Sequence, residues 1–290
     1  LISRRGLLAG SLVCAPALAS LKALAQSNLD EIQSRLADLE RVHGGRLGAC
    51  ALDVATGRRV EHRADERFAM CSTCKLLAAA FVLMRADRGE DTLDRRIPYL
   101  KDRLAAYSPI TQKHVGDGGM TLGELCEAAV TLSDNTAGNL LLDSLGAPAA
   151  FTRFARLLGD DVTRLDRLET DLNEAKPGDP RDTTTPAAMA DDVAKLVLRD
   201  ALSQESRDRL SAWMVANTTG DKRLRAGVPK GWRVGDKTGS GGNGQTNDVA
   251  VVWPPDRGPI VIAAYYAASA EPDEARNAVL AEVARLAVGM

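Results

Sequence analysis

Alternating apolar runs occur only near the two ends of this 290-residue chain, and the long stretch between them reads as helix. Segments 47–53 and 58–62 flank Ala55-Thr56-Gly57, the pattern of a β-hairpin. Segments 233–237, 247–253 and 260–266 read as three further strands. Leu29, Ile32, Leu36, Leu39 and Val42 recur at helical spacing before the first strand, and Ala275, Val279, Val283 and Leu286 share one face of a helix after the last. Strands must pair to satisfy their backbone groups. The two ends are therefore expected to meet in one sheet domain, residues 26–69 and 213–290, with an all-α domain, 70–212, inserted between them. No strand is expected in the middle. Thr185-Pro186 is a helix start there, threonine capping and proline at the first helical position. The cleft between two such domains is where a ligand site is expected.

Composition narrows the function. Hydrophobic residues are 45% and charged residues 26%, a globular balance. With 37 basic and 39 acidic side chains the net charge is −2, and without basic clusters nucleic acid is not expected as a partner. His43, His62 and His114 lack metal-ligand spacing, so neither a metal nor a cofactor is expected. Residues 1–25 read as an export signal: Arg4-Arg5 at the start, an apolar stretch to Leu21, Lys22, then Ala23-Leu24-Ala25 before cleavage at Gln26. The paired arginines resemble the twin-arginine signal for proteins exported already folded. The apolar stretch is shorter than the ~20 residues that span a bilayer, so a periplasmic protein without a stable membrane anchor is expected. Cys50, Cys71, Cys74 and Cys126 remain after cleavage, and their pairing is left open.

Three short motifs carry chemistry. Ser72-Thr73-Cys74-Lys75 opens the most apolar helical segment, 72–84, and the spacing of three puts the amine within reach of the hydroxyl. At a helix start Ser72 also lies in the positive field of unpaired N–H groups. Such a pair alone is weak evidence, since most serines of this kind are ordinary surface residues. The chain also contains Ser133-Asp134-Asn135 and Lys237-Thr238-Gly239, and S-x-x-K, S-x-N and K-[ST]-G each occur once, in that order. This is the motif set of serine β-lactamases and penicillin-binding proteins.

With that set in place, the chain resembles the class A serine β-lactamases over essentially its whole length beyond the signal. The resemblance implies an α+β fold of two domains, an antiparallel five-stranded sheet flanked by helices with the all-α domain inserted. Segment 164–182 is similar to that family's Ω loop. Glu169 and Asn173 match E-x-x-L-N, which in the family holds the hydrolytic water, and Arg167 and Asp182 match the salt bridge across the loop's neck. The resemblance implies hydrolysis of β-lactam antibiotics. Ser72 would attack the carbonyl and form an acyl-enzyme, with the N–H groups of Ser72 and Ser240 as oxyanion hole. Ser133 would pass a proton to the departing nitrogen beside Lys75 and Lys237, and Glu169 would activate water for deacylation. Whether Lys75 or Glu169 activates Ser72 stays open. Thr238, Gly239, Ser240 and Arg223 would bind near the substrate carboxylate, Asn135 its acylamino group, and Tyr107 would stand at the entrance. A monomer is expected.

Gly239-Ser-Gly241-Gly-Asn-Gly244 satisfies the dinucleotide fingerprint G-x-G-x-x-G, but a strand rather than a helix is expected after it, so nucleotide binding is rejected. Cys71 resembles a cysteine that some carbapenem-hydrolysing members link to the position of Gly241, and Cys126 one whose partner position is Ala80, so neither link can form. Two other readings share Ser72, Lys75, Ser133 and the K-T-G segment. They are a D-Ala-D-Ala peptidase and a β-lactam sensor that stays acylated. Both would lack the Glu169–Asn173 pair.

Overall fold

A computed structural model describes residues 15–290, with side chains described from residue 26. Arg4 and Arg5 of the expected signal lie outside the described residues, as does the Lys22 side chain. Among the described residues, nine strands run in chain order: β1 Arg46–Asp53, β2 Arg59–His62, β3 Phe68–Ala69, β4 Arg96–Ile97, β5 Met120–Thr121, β6 Thr183–Thr184, β7 Arg233–Ser240, β8 Thr246–Trp253 and β9 Ile260–Ala267. The α-helices are α1 Ala15–His43, α2 Cys74–Asp87, α3 Leu122–Thr131, α4 Asn135–Leu145, α5 Ala147–Leu157, α6 Pro186–Val193, α7 Gln204–Val215, α8 Leu224–Gly227 and α9 Asp273–Ala287.

Five strands form one antiparallel sheet in the order β2-β1-β9-β8-β7, which joins the two ends of the chain. Both faces of this sheet are covered. On β1, Leu47, Ala49 and Ala51 point into a core with Ile32 and Leu36 of α1 and Val279 and Val283 of α9. Cys50 and Leu52 of the same strand point the other way, into a core shared with α2, α3, α4 and α6. Alternation therefore sorts side chains between two cores rather than between core and water. That is why β9 is apolar at nearly every position and buried throughout.

Three details differ from the sequence reading. The middle of the chain is not free of strand: β3 pairs with β6 and β4 with β5. Each of these ladders is two residues long on either side, too short to leave a periodic signal. Ser72 sits in a 3₁₀ turn, Cys71–Thr73, and the α-helix begins only at Cys74. β7 continues through Lys237, Thr238 and Gly239 to Ser240 because β8 pairs with it along its full length. The expected helix start is present: the Thr185 side chain accepts from Ala188 N–H, and Pro186 is the first residue of α6.

Candidate active site

The turn carrying Ser72 is pinned between the sheet and the helices. Asn247 on β8 donates from Nδ2 to the carbonyls of Ala69 and Met70 at 2.9 and 3.0 Å. A Cβ on Gly239 would stand 2.7 Å from the Met70 carbonyl, so only glycine lets β7 lie this close to the turn. A Cβ on Gly241 would meet Asn173 O and Cys71 Sγ, each at 2.6 Å, which is how the end of β7 approaches the Ω loop. The glycine run lies in the β7–β8 hairpin, and a strand follows it.

Ser72 Oγ donates to Glu169 Oε1 at 2.9 Å and accepts from Lys75 Nζ at 2.9 Å. Lys75 Nζ also lies 2.8 Å from Glu169 Oε1, and the two side chains are only 2% and 1% exposed. That ammonium further donates to Ser133 O at 2.9 Å and Asn135 Oδ1 at 2.6 Å. Lys75 Nζ and Glu169 Oε1 thus flank the Ser72 hydroxyl from two sides, both within hydrogen-bond reach of Oγ. Lys237 Nζ donates to Ser133 Oγ at 2.9 Å and to the Thr238 carbonyl at 2.8 Å. Burial, followed by the Lys75 charge, pushes Lys237 down to about 7. The thiols flanking this turn are unsuited to attack: burial pushes Cys74 up to about 12 and raises Cys71 as well. Cys50, Cys71, Cys74 and Cys126 are all free and buried.

Glu169 is buried although it lies on a loop. Asn173 Nδ2 donates to its second carboxylate oxygen. Asn139 on α4 grips its backbone from both sides, accepting from Glu169 N–H at 2.8 Å and donating to Glu169 O at 2.9 Å. At the neck of the loop, Asp182 accepts from Arg167 Nε at 2.6 Å and from the N–H groups of Asp166 and Arg167 at 2.7 and 2.9 Å. The Asp182 carbonyl accepts from Met70 N–H at 2.9 Å, fastening the neck to the segment that leads into Ser72.

Ser72, Tyr107, Ser133, Asn135, Asn173, Arg223, Thr238, Gly239 and Ser240 all line one cleft of about 290 Å³. Tyr107 is 60% exposed, and its carbonyl accepts from Asn135 N–H. Arg223, the residue preceding α8, reaches the ends of β7 and β8 where Gly239 pairs with Asn247. It donates from Nη2 to Ser240 Oγ at 2.7 Å, from Nη1 to the Gly239 and Asn247 carbonyls at 2.9 and 2.7 Å, and from Nε to Asn277 at 2.9 Å. Burial lowers its pKa, and the Asp248 and Asp236 carboxylates oppose that shift. The expected residues thus converge, Arg167 and Asp182 standing behind the cleft at the neck.

A model of the "Beta-lactamase enzyme family" matches residues 31–289. The chain belongs to the class A β-lactamase family. It is 54% identical to β-lactamase AST-1 of Nocardia asteroides over 88% of this chain and 82% of that protein. It is 48% identical to β-lactamase CTX-M-25 of Escherichia coli over 98% and 96% of the two chains. Among solved structures, an ancestral class A β-lactamase superposes with TM-score 0.87 at 64% identity, covering 89% of this chain and 98% of that one. A putative class A β-lactamase, PenP, from Rhodopseudomonas palustris superposes with TM-score 0.88 at 56% identity, covering 89% and 99%. Class A β-lactamases are serine hydrolases that open β-lactams through an acyl-enzyme, and this chain is one of them.

Several residues of this β-lactamase escaped the sequence reading. Asn139 stands four residues after Asn135 on the same face of α4, a spacing that was readable but carried no chemistry until Glu169 was seen beside it. Asp134, the middle of the second motif, caps α4 through Ala137 N–H and accepts from Thr111 Oγ1 at 2.8 Å, so it shapes the turn that presents Ser133. Thr219 Oγ1 lies 2.5 Å from Thr238 Oγ1 in the cleft wall, a pairing with no local signal.

Proposed function

We propose that Ser72 is the nucleophile, that Glu169 takes its proton, and that Glu169 with Asn173 then directs a water onto the acyl-enzyme. The observation that carries this reading is the position of Ser72 Oγ, donating to a buried carboxylate and accepting from a buried ammonium at once. The Lys75 charge stabilises the carboxylate and the developing oxyanion rather than abstracting the proton. The oxyanion itself would lie between the N–H groups of Ser72 and Ser240, a reading supported by the close approach of β7 to the Ser72 turn. Each such donor contributes roughly 2.7–4 kcal/mol to the transition state. Ser133, bonded to Lys237 and 3.4 Å from Lys75, returns the proton to the departing nitrogen. A retained deacylating pair favours turnover over the peptidase and sensor alternatives.

Substrate binding follows the charges in the cleft. The β-lactam carboxylate would meet Lys237, Thr238, Ser240 and Arg223, its acylamino group Asn135, and its entering face Tyr107. Replacing Arg223 with alanine is expected to raise KM for penicillins about tenfold with little change in kcat, a ~1.4 kcal/mol loss of ground-state binding. Unchanged steady-state constants would remove Arg223 from carboxylate recognition. The lowered Lys237 value gives a second test. Charged below about 7 and neutral above it, Lys237 should make kcat/KM for a carboxylate-bearing substrate fall on the alkaline side of about 7. Lys237→Arg, which stays protonated, should move that limb to higher pH. A limb unmoved by the substitution would assign it to another group.

Organisation and setting complete the reading. The sheet unit, 26–69 and 213–290, and the helical unit, 70–212 with the Ω loop 164–182, face each other across the cleft. No cofactor is needed for this chemistry, and nucleic acid plays no part in it. No helix among the described residues is long and apolar enough to cross a membrane. The protein would act as a monomer in the periplasm after export by the twin-arginine route, a reading that rests on Arg4-Arg5 and the segment that follows.

A further inference from the structure

Two buried carboxylates stand outside the catalytic cleft with their oxygens unmet. Asp192, on α6, is 0% exposed, and neither of its carboxylate oxygens has a hydrogen-bond partner. Asp160, 5% exposed, accepts through Oδ1 from Val162 N–H at 2.7 Å and Thr163 N–H at 3.0 Å, but its Oδ2 has no partner. The nearest cation, Lys195 Nζ, is 3.9 Å from Asp192 and already donates to the Leu158 carbonyl at 2.5 Å, so it sets Asp192 beside the turn that carries Asp160. Asp191, next to Asp192, is turned toward Arg59. The Arg156 guanidinium is engaged by the Asp160 and Thr163 carbonyls. Two unpaired carboxylates in such a place would each bear a desolvation cost of several kcal/mol. One proton removes the conflict, because it turns an acceptor into a donor.

We propose that Asp160 and Asp192 share a single proton, Asp192 donating to Asp160, and that this pair is a positioning device for the Ω loop. The placement supports that role. Asp160 fixes the turn through which the chain enters the loop. From it Thr163 Oγ1 reaches Thr184 Oγ1 at 2.6 Å, and Arg164 N–H donates to the Thr183 carbonyl at 3.0 Å. Asp192 is on the helix that leaves the loop. The shared proton therefore ties the entering and leaving chains together, behind the Arg167–Asp182 bridge. Burial first, then the charge and hydrogen bonding of Asp160, push Asp192 up to about 9, with Lys195 opposing and Asp191 adding to the rise. The folded pKa is thus above the unfolded one. The stability this group contributes is full below the unfolded carboxylate range and declines as pH rises toward about 9. Beyond that point two like charges face each other at the neck.

Asp192→Asn tests this in the full-length enzyme, since the amide keeps an N–H donor toward Asp160 and carries no titrating proton. At neutral pH the infrared difference spectrum of wild type minus Asp192→Asn should contain the C=O band of one buried protonated carboxylic acid, a band the variant lacks. The variant should melt higher than wild type above neutral pH, with a flatter dependence of Tm on pH. Wild-type deacylation should decline as pH rises toward about 9, and the variant should lose that decline. Asp192→Ala, which removes the donor, should melt lower than Asp192→Asn and deacylate more slowly at every pH. An unchanged infrared band, or equal Tm slopes in wild type and Asp192→Asn, overturns the shared proton. Loss of the band with an unaltered deacylation profile overturns the positioning role. That role rests on Glu169 as the deacylating base. Normal deacylation by a Glu169 variant would sink that assignment while leaving the infrared and melting results intact.

Discussion

Replacing Ser72 with alanine is expected to lower turnover of a penicillin by about 10⁶-fold, leaving only the residual acceleration that binding and oxyanion donors supply. No neighbouring group can stand in for the lost hydroxyl. Cys71 and Cys74 are buried thiols held in their protonated form, and Ser133 Oγ is occupied by Lys237. The variant should fold, because Lys75 keeps its contacts to Glu169, Asn135 and the Ser133 carbonyl. An unchanged Tm beside lost turnover would separate chemistry from folding, and near-wild-type hydrolysis would exclude Ser72 as nucleophile.

Replacing Glu169 with alanine is expected to slow deacylation by roughly 10²–10⁴-fold, the range typical of a lost general base. Acylation should persist in part, since Lys75 still polarises Ser72. The acyl-enzyme should then accumulate and appear as an added penicilloyl mass on the intact protein. Alanine also leaves Lys75 without its carboxylate, so Glu169→Gln, which retains the volume, is the companion variant. It too should trap the adduct, as an amide accepts no proton from water. Deacylation at the wild-type rate in both variants would falsify the role of Glu169.

Both results depend on a geometry that was only partly legible in the chain. Ser72 and Lys75 are three residues apart on one turn, so local helical geometry alone brings them together. Glu169 lies 97 residues from Ser72, and Lys237 lies 104 from Ser133. Those contacts were expected through resemblance to a family rather than through any local pattern. Asn139 and the Asp160–Asp192 pair had neither source, and they emerged only when the helices were packed around the loop.

Taken alone, the residue order determined that strands from both ends must share one sheet. It also determined that Ser72 and Lys75 share a face and that Thr185-Pro186 begins a helix, because each depends on periodicity or on neighbours a few bonds apart. Tertiary structure decided that Lys75 and Glu169 close on Ser72 from two sides, how far β7 extends past Lys237, and which carboxylates are buried without a partner. These depend on solvent exclusion and on the electric field of groups distant in sequence. Burial of Lys75 against Glu169, of Lys237 beside Lys75, and of Asp192 against Asp160 arises only when separate segments exclude water from the same small volume.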